Sequence, residues 1–257
     1  MPNWLIKHAE LVNEGRRFHT DLRIRGQRIE KIGGDLAAHA GEQVFDAAGL
    51  WLLPGMIDDH VHFREPGYTA KADIASESRA AVAGGVTSFF EMPNTRPATL
   101  THELLEDKYA IAARTSLANH AFYFGAGNDN LDAIRTLDPR TVPGVKVFLC
   151  ESTGNLCVSD PATLENVFRD SPVTVVVHCE DSHIIHANLD RAKAEYGDDI
   201  PMRLHPEIRS REACVESTRW AVETARRLGT RLHVLHVSTA DELALFEPGP
   251  IADKRIT

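Results

Sequence analysis

The chain has 257 residues, 43% of them hydrophobic and 25% charged, with 17 glycines and 13 prolines. That usage is ordinary for a globular protein and excludes collagen-like, mucin-like and low-complexity classes; a chain of this length buries roughly 70% of its unfolded surface, enough for one substantial core or two unequal domains. The 28 basic residues against 37 acidic ones give a net charge of −9, which repels nucleic acid and anionic lipid unless a basic patch intervenes.

No such patch is present, because Arg23-Ile24-Arg25-Gly26-Gln27-Arg28 and Arg226-Arg227 are short and read as solvated edges of a hairpin and a helix. The start, Met1-Pro2-Asn3-Trp4-Leu5-Ile6-Lys7-His8, lacks the charged-then-apolar order of a secretory signal. No window approaches the roughly 20 apolar residues of a membrane span. Cys150, Cys157, Cys179 and Cys214 form no CxxC pair, which suits reduced thiols, so the expected location is the cytoplasm, with neither nucleic acid nor membrane as a partner.

In chain order, the spacing predicts short strands at 4–8, 18–25 and 28–32, with Gly26-Gln27 as a turn and Gly33-Gly34 as a stop. Residues 1–50 are therefore expected to form a small β region, part of a sandwich. Residues 50–57 are nearly continuous apolar sequence, interrupted only by Pro54-Gly55, as in a strand covered on both sides. From there strands are predicted at 55–63, 86–92, 120–125, 145–149, 174–179 and 231–237, and helices at 69–83, 102–117, 161–168, 181–196 and 211–228. In the last helix Cys214, Thr218, Ala221, Val222, Ala225 and Leu228 recur every three or four residues, and Gly229 supplies a cap.

This βα repetition fits an open doubly wound sheet or a closed (β/α)8 barrel. The glycines Gly84-Gly85 precede a strand instead of following one, which disfavours a dinucleotide sheet. An open arc of six strands would leave edges unpaired, and residues 247–257 read as no compact ending. The expectation is an α/β chain: a TIM-like barrel over 51–257 that stops after its sixth strand.

The sharpest signal is Asp58-Asp59-His60-Val61-His62-Phe63-Arg64. Period-two alternation puts Asp58, His60, His62 and Arg64 on one face, and such a face needs ion pairing or a metal if it is buried. The alternative is a surface strand with scattered histidines, against which flanking Leu52, Leu53, Met56 and Ile57 argue. His178 and His236 each sit at the carboxyl end of a predicted strand, where barrel active sites gather and where imidazoles from several strands suit zinc. Lys146 lies inside the apolar stretch Val145-Lys146-Val147-Phe148-Leu149. An ammonium has no lone pair for a cation. Either Lys146 pairs with a carboxylate, or its neutral amine has reacted with carbon dioxide to give a carbamate able to bridge two metals. Cys179 should face away from His178 and pack. Glu180 and Asp181 suit either an acceptor for an imidazole or a helix cap.

Gly55 to Gly67, Glu91-Met92-Pro93-Asn94-Thr95, Lys146-Val147-Phe148-Leu149 followed by Ser152-Thr153-Gly154-Asn155, His178-Cys179-Glu180-Asp181 and His236-Val237-Ser238-Thr239 together resemble the dihydroorotases of the amidohydrolase superfamily, in the same order and over essentially the whole chain. The resemblance implies two zinc ions, with His60 and His62 on the more buried one, His178 and His236 on the other, and a carboxylated Lys146 bridging them. It implies reversible hydrolysis of dihydroorotate to N-carbamoyl-L-aspartate in pyrimidine biosynthesis. Arg64 would receive the ring's carboxylate, and Asn94 would be a second substrate contact. The bland alternatives are that Arg64 pairs with Glu65 or another carboxylate and that Asn94 shapes the turn after Pro93.

The family's catalytic aspartate follows an eighth strand, so none is expected within this chain, and a chain ending here is expected to be inactive alone. Related readings are an allantoinase or dihydropyrimidinase acting on another cyclic amide, and an inactive barrel serving as an assembly partner; the resemblance also leaves room for a homodimer. All five candidate metal ligands are present, which weighs against the inactive barrel.

Overall fold

The computed structural model describes residues 2–149, 156–158 and 160–257; Cys150 and the stretch Ser152-Thr153-Gly154-Asn155 lie outside them. The chain divides into two compact units, Met1–Met56 and Ile57–Thr257. The division falls later than the 50/51 junction expected from sequence.

In the first unit, β1 (Trp4–Asn13) pairs antiparallel with β2 (Arg16–Arg25), and β2 with β3 (Arg28–Gly33). The tight turn between β1 and β2 places Glu14 and Gly15 at φ 50° and 71°. β4 (Gln43–Asp46) and β5 (Trp51–Leu52) both run parallel to β1, along its first and second halves, completing one five-stranded sheet. This pairing carries the chain past residue 50 before the first unit ends. The apolar run 50–57 is therefore not one covered strand. Pro54-Gly55 splits it, and Trp51, Leu53, Met56 and Ile57 are all more than half exposed.

In the second unit the chain alternates strand and helix: β6 (Met56–Val61), α1 (Ile74–Ala83), β7 (Val86–Glu91), α2 (His102–Thr115), β8 (Asn119–Phe122), β9 (Phe124–Gly125), α3 (Leu131–Arg135), β10 (Gly144–Phe148), α4 (Pro161–Asp170), β11 (Thr174–His178), α5 (Ser182–Tyr196), α6 (His205–Ile208), α7 (Arg211–Leu228) and β12 (Leu232–Val234). β6, β7 and β8 form one sheet, with β6 at its edge, and β9 to β12 form another, each in chain order. The pairs β7/β8, β9/β10, β10/β11 and β11/β12 are all parallel. The strand predicted at 120–125 is thus divided at Tyr123 between two sheets.

Sequential parallel strands joined by helices are the grammar of (β/α)8 barrels. The sixth strand is not the last pairing. Leu232 bridges Ile256 in parallel, and the Leu232 and Val234 amides donate to the Arg255 and Thr257 carbonyls at 2.8 Å each. Residues 255–257, which read from sequence as no compact ending, pair alongside β12.

Alternation sorts the strand side chains. Val145, Val147, Val175, Val177, Leu232 and Val234 enter one buried cluster with Leu164, Val167, Ala221, Val222 and Ala225 of the helices. The opposite face carries Met92, Tyr123, Val176 and Leu235 in a second cluster. Lys146 pairs in register with Val176, and Phe148 with His178, so both belong to this second face.

Of the stripe predicted on α7, Thr218, Ala221, Val222 and Ala225 are buried, while Cys214 and Leu228 at its two ends are half-buried. Ser210 caps its start, and Gly229 ends it in the left-handed region at φ 71°. A side chain there strains the backbone. Gly229→Ala is expected to lower unfolding stability by about 1 kcal/mol, read from urea midpoints. Among the described residues no helix is long and apolar enough to cross a membrane.

Candidate metal and substrate site

The apolar flanks of β6 and β10 to β12 carry polar side chains to their carboxyl ends. His60 lies in β6 and His62 just beyond it, their Nε2 atoms 3.3 Å apart. His178 closes β11, with its Nδ1 3.0 Å from Nε2 of His236. The His60 and His236 rings join the two pairs, at 5.2 Å between centroids. Lys146, 1% exposed, is close enough that its charge disfavours protonation of His60, His62 and His236. The structure therefore gathers four histidines and a lysine from four strands.

Burial is the main cause that pushes His60 down to about 3, followed by the Lys146 charge and the neighbouring imidazoles. His62 is pushed down to about 4 by burial and then by Arg64, against an opposing hydrogen bond with Asn94. His236 is lowered by burial, then His178 and Lys146. Neutral imidazoles are the ligand-competent form.

Their partners set which nitrogen is free. Asn94 Oδ1 lies 2.8 Å from His62 Nδ1 and can only accept, which leaves His62 Nε2 with a lone pair. Glu180 Oε2 lies 2.6 Å from His178 Nε2. Of the two residues that sequence left open, Glu180 is the imidazole's acceptor, while Asp181 caps α5 by accepting from the Ile184 amide at 2.9 Å.

Two nitrogens on one tetrahedral zinc, at about 2.0–2.1 Å each, stand about 3.3 Å apart. Both histidine pairs have close to that separation. Among the described residues, however, no three His, Cys, Asp or Glu side chains converge as metal ligands. Each pair would need another donor.

Arg64 corrects one expectation. β6 ends at Val61, and Arg64 adopts φ 66°, so strand alternation does not extend to it. Its charge still reaches His62. Glu65, the neighbour that could have paired with it, instead accepts from the Ile74 amide at 2.9 Å. No ion pair is formed by Arg64 among the described residues.

Cys179 is buried, which pushes its thiol up to about 12 and suits packing, not nucleophilic attack. Sequence reasoning missed the Glu91–Lys108 pair beneath the site and the fork of Arg209 on Glu180. In the second case the H-x-E spacing after His178 was the one available signal.

Residues 51–243 match the model of the amidohydrolase family. The chain is similar to an allantoinase of Bacillus velezensis, 33% identical over 243 residues, covering 91% of this chain and 52% of that protein. It is similar to a dihydroorotase of Halobacterium salinarum, 35% identical over 229 residues, covering 86% of this chain and 50% of that protein. The solved L-hydantoinase (dihydropyrimidinase) from Arthrobacter aurescens matches with a TM-score of 0.86 at 27% identity, covering 95% of this chain and 55% of that one. The chain thus spans about half the length of the curated relatives it matches.

Proposed function

Because the chain belongs to the amidohydrolase family, we propose that it carries the metal-binding part of a hydrolase acting on cyclic amides. His60 and His62 would hold one zinc ion, His178 and His236 a second, and a carboxylated Lys146 would bridge them. The observation that carries this reading is the nitrogen separation within each histidine pair, 3.3 and 3.0 Å, with His60, His62 and His236 kept neutral by burial. When bound, such ions polarise the amide carbonyl and lower the pKa of water. The chain's own residues position everything else. Asn94 fixes the His62 tautomer and keeps its amide donors for substrate.

Arg64 supports a ring bearing a carboxylate. A half-buried guanidinium without an ion-pair partner among the described residues is a ready fork for that group. On this ground the reaction is interconversion of dihydroorotate and N-carbamoyl-L-aspartate. The second reading, an uncharged ring such as allantoin or dihydrouracil, is favoured by the allantoinase and hydantoinase relatives. Rates of the complete gene product on dihydroorotate, allantoin and dihydrouracil separate the two.

Arg64→Met adds a further expected outcome. Losing a charge-assisted hydrogen bond costs about 1.5–3 kcal/mol, so KM for dihydroorotate should rise about 10- to 100-fold with little change for dihydrouracil. Equal losses on both rings, or a wild-type preference for an uncharged ring, would remove the acidic-ring reading while leaving the metal site intact.

A further inference from the structure

We infer that Glu180 and Arg209 are positioning residues that fix the tautomer and orientation of His178, so that its Nδ1 is the nitrogen offered at the site. The inference rests on the metal reading above for its consequence, but its geometry stands on the chain alone. His178 Nε2 lies 2.6 Å from Glu180 Oε2 and His178 Nδ1 lies 3.0 Å from His236 Nε2. An ionised carboxylate only accepts, so the proton in the first contact sits on Nε2. A neutral imidazole then has its lone pair on Nδ1, facing His236.

Glu180 is 6% exposed, and a carboxylate so enclosed needs donors to stay ionised and aimed. Arg209 supplies them in a fork. Its Nε donates to Oε1 at 2.7 Å, and its Nη2 contacts Oε2, the oxygen that faces His178. Planar two-point recognition fixes the direction of the carboxylate as well as its charge.

Arg209 is itself delivered by a fastened turn. It follows α6, where the Glu207 and Ile208 carbonyls accept from Asn188 Nδ2 of α5 at 3.2 and 3.1 Å. The chain of contacts runs from α5 through the turn to Arg209, Glu180 and His178. His62 has a different holder: Asn94 takes its Nδ1 and leaves Nε2 facing His60. One histidine pair thus depends on a charged relay and the other on a neutral amide, so the two can be perturbed separately.

The test uses the complete gene product and three variants, Arg209→Met, Arg209→Lys and Glu180→Gln. Each is freed of metal and titrated with zinc against a chromophoric chelator. Histidine tautomers are read in parallel from long-range 1H–15N spectra of metal-free protein labelled at histidine. Partners of metal-ligating histidines are worth about 10- to 100-fold in affinity. Arg209→Met is expected to weaken one of the two zinc ions by that factor and to mix the His178 tautomers, leaving the His62 tautomer unchanged. Arg209→Lys, which keeps a cation but not the fork, should recover part of the loss. Glu180→Gln, nearly isosteric, carries the same test should Arg209→Met fold poorly.

Unchanged zinc affinity together with an unchanged His178 tautomer in Arg209→Met and Glu180→Gln would overturn the positioning role. Failure of the wild type to take up zinc would instead overturn the metal reading. The tautomer comparison would still decide the role of the pair.

Discussion

Replacing Lys146 with alanine in the complete gene product is expected to reduce bound zinc from two ions to at most one and to lower cyclic amide hydrolysis about 10³-fold. The size follows from losing several kcal/mol of charge stabilisation at the reacting carbonyl, each 1.36 kcal/mol being tenfold in rate. The placement of the residue motivates the prediction. Every residue of β10 from Gly144 to Phe148 is buried, and Lys146 puts its Nζ 4.6 Å from the centroid of the Phe148 ring instead of into solvent. A lysine so enclosed is sheltered from solvent, and its neutral amine is the form that reacts with carbon dioxide. Reconstitution in carbon-dioxide-free buffer should therefore leave wild-type protein deficient in zinc, with bicarbonate restoring it. Full zinc content and rate in Lys146→Ala, or indifference to bicarbonate, would show that Lys146 serves only as a buried ion-pair member.

Much of this site can be read in the sequence because a strand repeats every two residues and a barrel strand exposes its carboxyl end. His60, His62, His178 and His236 follow from those two rules, and the structure brings them together. The rules fail where the backbone leaves the strand. Arg64 sits at φ 66°, and nothing about an arginine announces a left-handed residue. They fail again at Phe122-Tyr123-Phe124, where three consecutive buried aromatics hide the change from one sheet to the next. Pro54-Gly55 was visible as a break in the apolar run, yet only pairing with β1 shows that Trp51-Leu52 belongs with the first unit. Ionic pairs distant in sequence were illegible altogether. Glu180 meets Arg209 from 29 positions away, and Lys108 sits in a helix whose other charges, among them Glu103 and Glu106, are solvated as a polar helix face should be.

That lysine marks the second large effect expected of this fold. Lys108 and Glu91 are each 1% exposed; the Lys108 Nζ contacts the Glu91 carboxylate, donates to the Met92 carbonyl at 3.0 Å and lies 5.0 Å from the centre of the Phe122 ring. Burial raises the Glu91 carboxyl and lowers the Lys108 ammonium, and each is held against that drift by the other. The Arg64 backbone amide and charge also favour the ionised Glu91 carboxylate, so the pair bears on both the end of β7, ahead of Asn94, and the left-handed residue that follows His62 and Phe63. Lys108→Met leaves a carboxylate buried without its cation, which should cost about 3–5 kcal/mol. Glu91→Gln strands the ammonium at a similar cost, whereas the double variant Glu91→Gln/Lys108→Met removes both charges and should be far less destabilised than the sum of the two. Urea midpoints for the four proteins close the cycle, and additive losses would mean that the charges do not depend on each other. The pH dependence has a definite sign. In Lys108→Met the folded carboxyl titrates above its unfolded value, so protonation favours the folded state, and the deficit should shrink as pH falls towards 4.5 and grow as pH rises to 7.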